Sequence, residues 1–148
     1  MRTSSRYLIT SLGFLGLLPF IGSLLAYHTG WFHASLTAQK LFISYGAIIL
    51  SFLGGAIWGQ VLEQPFQTKG RLLLICSNLI ALVAWVGLLT NQPQLSLLVL
   101  LLGYVSLFWV EARWLKMVRT DTSYYPGMRF VLTVSVCSMH LLMLYPRY

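Results

Sequence analysis

Acidic side chains are almost missing from this chain. Glu63, Glu111 and Asp121 stand against ten Lys and Arg, and charged residues of both signs make up 9% of 148 positions. A soluble domain carries about a quarter charged residues, so there are too few here to coat a water-facing surface. Acid–base hydrolysis by two neighbouring carboxylates has no such pair to draw on. Cysteine is scarce too. Cys76 and Cys137 both fall inside apolar runs, with no CxxC pair, which excludes a disulfide framework and leaves two small hydrophobes. GxSxG, HExxH and Gly-rich phosphate-loop patterns are absent, as are strand-like alternation, long linkers and low-complexity stretches. The expectation is a non-enzymatic protein without a cofactor.

What the chain has in quantity is apolar length. Hydrophobic residues make up 57% of it, gathered into runs of about the 20 residues a membrane-spanning helix needs. The runs predict an all-α, five-transmembrane-helix bundle forming one integral membrane domain over 1–148. The spans fall at about 7–27, 41–62, 71–90, 95–115 and 126–145. The first run is longer than a cleavable signal segment of about 7–15 apolar residues, so it reads as an uncleaved helix, bent at Pro19. His28 to Lys40 reads as a loop, and Asn91 to Gln94 as a tight turn.

The net charge of +7 is distributed between the apolar runs rather than along one stripe. That pattern argues against nucleic acid and for orientation in a bilayer. Five spans put Arg2, Arg6, Lys69, Arg71, Arg113, Lys116, Arg119 and Arg129 on one side and Lys40 and Arg147 on the other. Under the positive-inside rule the N-terminus is expected in the cytoplasm or its matrix equivalent, and the C-terminus outside. Arg113, Lys116 and Arg119 recur every third residue, a basic helix face suited to anionic lipid headgroups. Trp58 and Trp109 suit the inner interface, and Trp85, lying deeper, reads as a packing residue.

The second span carries the most particular string, Tyr45 to Gly59, YGAIILSFLGGAIWG. Ala47, Ser51, Gly55 and Gly59 recur at intervals of four, which predicts a seam of small side chains where other helices approach closely. Two groups of polar residues fall inside the spans. Glu111 and Arg129 each lie about one turn inside adjoining helix ends, at a similar depth, and read as an intramembrane ion pair. The alternative for them is a proton- or anion-handling site. Asn78, next to Ser77, reads as an interhelical hydrogen-bonding residue or, with Tyr104, as the polar wall of a cavity. His28 and His33 read as solvated loop residues and His140 as a hydrogen-bonded interface residue. Their spacing fits no metal motif.

The string Tyr45–Gly46–Ala47, Ile49 to Gly55 and Trp58–Gly59 resembles the signature of a membrane family called domain of unknown function 3429, which includes the mitochondrial transmembrane protein 69. Tyr125, Arg129, Leu132 and Thr133 resemble a second part of that signature, a Tyr-x-x-x-Arg-x-x-Leu-Thr pattern. The resemblance implies a small multi-span protein and carries no activity with it. It implies an energy-transducing membrane, either a bacterial inner membrane or the mitochondrial inner membrane. The leading expectation is an accessory, assembly or stabilising factor, with the lipid bilayer and a larger membrane protein complex as partners. The alternative is a binder or transporter of a hydrophobic ligand, an anion or protons within the bundle.

Overall fold

A computed structural model describes residues 2–30, 35–63, 68–115 and 124–145. Helices α1 (Arg2–Leu15), α2 (Leu18–Thr29), α3 (Ser35–Leu62), α4 (Thr68–Leu89), α5 (Pro93–Val110) and α6 (Tyr124–Leu144) account for nearly all of it, and α5 continues as a π-helical turn over Glu111–Leu115. Five stretches are long and apolar enough to cross a membrane: Ser5–Thr29, Thr37–Leu62, Gly70–Leu89, Pro93–Arg113 and Pro126–Leu144. Large apolar side chains cover the outside, among them Phe52 at 69% and Leu102 at 66% exposure, an exterior suited to lipid rather than water.

The first span is α1 and α2 in series, broken at Gly16–Leu17. Proline at position 19 has no N–H to give to the Leu15 carbonyl, so the helix cannot run through. The chain tightens there instead, with Leu17 N donating to Phe14 O at 3.0 Å, before Ile21 N returns to Leu17 O. Backbone groups freed in a bilayer need new partners. The Tyr45 hydroxyl of α3 donates to Gly16 O at 2.9 Å, so the break is tied to the neighbouring helix. Gly30, at φ 67°, ends α2 in the left-handed conformation that glycine adopts without penalty.

Helix α3 begins six residues before the expected span. Ala38 and Gln39 of the expected loop are buried while Lys40 is exposed, so these residues extend the helix with an inward and an outward side. Its 28 residues reach about 42 Å, more than the roughly 30 Å hydrocarbon thickness, so the charge has room to lie outside the apolar layer.

The buried face of α3 is Ile43, Ala47, Leu50, Gly54, Ile57 and Val61. The steps alternate four and three, the spacing that keeps one side of a helix against its neighbours in left-handed packing. The other helices repeat it: Leu73, Ser77, Ile80 and Ala84 on α4, and Leu97, Leu100, Tyr104 and Leu107 on α5. On α6 the row is Arg129, Leu132, Val136, Met139 and Met143. This corrects the expected seam of Ala47, Ser51, Gly55 and Gly59. Ala47 is buried at 1%, but Gly55 and Gly59 are exposed, and a Cβ built on either meets nothing within 4 Å. The cause is rotational: at 3.6 residues per turn, each step of four overshoots a full turn by about 40°. Repeated from Ala47 to Gly59, it turns the stripe well away from the neighbours, whereas an alternating four-and-three row stays with them.

The close approaches occur at other glycines. A Cβ on Gly46 would lie 3.4 Å from Phe20 of α2, and 3.5 Å from both Leu100 of α5 and His140 of α6, so three helices converge on it. A Cβ on Gly54 would lie 3.3 Å from Ser77 O, and one on Gly103 would lie 2.5 Å from Leu50 Cδ2. Helix α3 is therefore the one against which α2, α4 and α5 all pack.

Candidate functional site

Hydroxyl groups reinforce these crossings in a consistent way. Besides Tyr45 on Gly16, Tyr104 Oη donates to Gly46 O at 2.6 Å and Ser77 Oγ to Gly54 O at 2.9 Å. Each acceptor is a glycine carbonyl, which no side chain shields on its own residue, and each bond joins α3 to a different span: the α1–α2 break, α5 or α4. In a bilayer such bonds contribute on average about 0.6 kcal/mol each. Their worth lies as much in fixing rotation and depth as in energy.

Beside Gly46 lies His140, with no exposed surface. Phe20, Phe42 and Tyr104 surround its ring at centroid distances of 5.9, 4.8 and 5.3 Å. Nδ1 lies 2.8 Å from Val136 O, an acceptor only, so the proton is on Nδ1 and Nε2 is the acceptor. Nε2 has no partner among the described residues. His140 is thus a core residue of an aromatic box rather than the interface residue expected from the sequence. Its neighbours come from α2, α3 and α5, and no local pattern in α6 announces them. His28 stands exposed in the last turn of α2 beside Tyr27, and His33 lies outside the described residues.

Glu111 and Arg129 are brought together where α5 gives way to the π-helical turn. Glu111 Oε2 accepts from Arg129 Nε at 2.9 Å and from Nη2 at 2.8 Å, and both residues are buried. A lone charge at the centre of a bilayer costs roughly 2.5–3.5 kcal/mol on insertion scales, and pairing removes most of the reason for that cost. The wider π-helical turn opens directly at Glu111, a feature that often marks functional positions in helices. Two residues beyond Glu111, the exposed Arg113 guanidinium stacks over Trp109, one turn back, at 5.4 Å. The other two members of the expected basic face, Lys116 and Arg119, lie outside the described residues.

Next to the ion pair, a crevice of about 140 Å³ opens between α1–α2, α3 and α6, with α5 contributing its floor. Leu12, Phe20, Ile49, Phe52, Leu53 and Val136 supply its apolar walls, and Arg129, Thr133 and Tyr104 its polar positions. Tyr104 therefore borders this crevice, and Asn78 is not part of its lining. Asn78 is exposed and its Nδ2 donates to Leu74 O of its own helix at 3.1 Å, correcting the expected pairing of Asn78 with Tyr104. Ser77 takes the inward place instead. One residue is about 100° of rotation, enough to carry a side chain from the core to the lipid. The same rotation past buried Ala84 leaves Trp85 56% exposed, so it is not the packing residue expected.

Five apolar helices of spanning length, joined through glycine contacts and a buried ion pair, define a multi-pass membrane protein. Residues 6–145 match the family described as protein of unknown function (DUF3429), and the chain belongs to it. Transmembrane protein 69 of Xenopus tropicalis is 32% identical over 127 residues, which cover 83% of this chain and 48% of that relative. The chain thus spans about half the length of the curated relative it matches. No solved structure matches it.

Proposed function

We propose that the protein is a non-enzymatic component of an energy-transducing membrane that assembles with another membrane protein through one face of α3 and α4. The observation that carries this reading is the open glycine row. Gly55 and Gly59 are one turn apart on α3, exposed, with nothing within 4 Å of a Cβ on either. Paired glycines at this interval let a second helix backbone approach closely. Asn78 extends the same face. Gly54 meets Ser77 across the α3–α4 contact, and one further residue along antiparallel helices rotates Gly55 and Asn78 to the same side. An amide at a lipid-facing position is uncomfortable in hydrocarbon and a natural hydrogen-bonding partner for another helix.

The excess of cations near the end of α5 and the starts of α1, α4 and α6 supports an N-terminus on the cytoplasmic or matrix side. The assembly reading is tested by a Gly55→Leu, Gly59→Leu variant purified in mild detergent from native membranes. The variant should remain folded, since both positions are open, and should lose a membrane protein that co-purifies with the wild type. An unchanged set of co-purifying proteins contradicts the reading. Recovery of a self-dimer alone replaces it with a homo-oligomer.

A further inference from the structure

The crevice beside the ion pair has features that packing alone does not require. We propose that it is a binding site for an anionic phospholipid, one acyl chain lying in the crevice and the phosphate-bearing head at the level of Arg129. The shape supports a chain. Arg129 and Val136, both on its wall, are seven residues apart on α6, about 10 Å along the helix axis. The walls are Leu, Ile and Phe side chains, and Leu12 and Phe52 at its edges are 59% and 69% exposed, so it opens sideways to the surroundings of the bundle. Apolar cavities of about 150 Å³ take up a benzene-sized group, and the crevice has comparable room for a short stretch of chain.

The polar end supplies the head contact. A guanidinium has five N–H donors in a planar fork. Two of Arg129's are directed at Glu111 Oε2, so the remaining donors point away from that oxygen while the residue lines the crevice. Thr133, one turn further into the bundle, adds a hydroxyl to the same wall. Because Glu111 neutralises Arg129, selection for a negative head comes from the surroundings. Among the described side chains at this end of the bundle, Arg6, Arg71 and Arg113 are exposed cations and Glu63 is the exposed acid. Lipids with a net negative head are attracted to such a surface. The pair also has a second role in this arrangement: Glu111 fixes the guanidinium at the crevice instead of letting it snorkel to water.

The proposal is tested by native mass spectrometry of the purified protein with phosphatidylglycerol, phosphatidylcholine of identical chains, or oleate. The wild type should retain one phosphatidylglycerol at least five-fold more than one phosphatidylcholine. Two variants probe the site separately. Leu12→Trp, at the exposed mouth, should reduce retention of phosphatidylglycerol several-fold without touching the ion pair. The doubly neutral Glu111→Gln, Arg129→Gln variant removes the guanidinium and leaves the net charge of this end unchanged, so it should lower retention of both phospholipids several-fold. Equal retention of both lipids by the wild type overturns the proposal, as does a Leu12→Trp protein that binds like wild type. Displacement of phosphatidylglycerol by equimolar oleate would assign the site to a free carboxylate amphiphile and overturn the phospholipid assignment. If the doubly neutral protein does not fold, the wild-type preference and Leu12→Trp decide the matter.

Discussion

Alanine at position 103 is the sharpest perturbation of the helix contacts. The added Cβ would lie 2.5 Å from Leu50 Cδ2 and 3.6 Å from Val83 Cγ1, and Leu50 has no exposed surface into which to rotate. Either Leu50 takes a strained rotamer or α5 moves away from α3. Overpacking of this kind costs about 1–3 kcal/mol. Replacing glycine in a helix interior by alanine returns up to about 1 kcal/mol of propensity. Gly55→Ala isolates the difference, because it gains the same propensity and its Cβ meets nothing within 4 Å. The two variants should therefore differ by about 1–3 kcal/mol, or roughly 5- to 150-fold in the unfolding equilibrium. Reversible unfolding in bicelles or by steric trapping measures this directly. Leu50→Val in the Gly103→Ala background should recover part of the loss, as expected for residues in contact. Equal stability of Gly103→Ala and Gly55→Ala would refute the close approach of α3 and α5.

Other consequences are simpler to state. Glu111→Gln or Arg129→Gln alone leaves a buried charge without its partner and should cost about 3–5 kcal/mol. The charge-swapped Glu111→Arg, Arg129→Glu protein should recover expression and resistance to SDS relative to either single reversal. Tyr104→Phe and Ser77→Ala should each cost about 0.6 kcal/mol, and no more than roughly 1.7, by the same unfolding assay, because the glycine carbonyls they bind sit within helices. An alkaline phosphatase fused after Tyr148 in a bacterial host should be active and one fused before Met1 inactive; the opposite pattern reverses the proposed orientation.

The helices are legible in the sequence because length and hydropathy alone identify them: each run is near the span of a bilayer. Their faces are harder to read. When almost every residue is apolar, polarity no longer distinguishes the inside of a bundle from its outside, and spacing must serve instead. The glycine and serine ladder on α3 has an interval of four, which draws the eye to Gly55 and Gly59. The alternating row through Gly54 and Ile57 follows the neighbours and leaves the ladder behind. Ser77 and Asn78 show the same difficulty at a single step, since the more polar of two adjacent residues faces outward. The shared depth of Glu111 and Arg129 can be counted in turns from their helix ends, and an isolated charge in an apolar run needs explaining. His140 could not be placed that way. Its box is assembled from helices distant in sequence, and the signal nearest to it was Gly46, small enough to admit the imidazole.

The two faces of α3 can be separated by one measurement. In a background with Cys76 and Cys137 replaced by alanine, single cysteines at Gly55, Gly59, Ile57 and Val61 are coupled to a photoactivatable thiol reagent in native membranes. Irradiation should give adducts of higher mass from positions 55 and 59, and none from positions 57 and 61, which the bundle encloses. Adducts arising equally or preferentially from 57 and 61 would contradict the inward row of α3 and the open glycine face together.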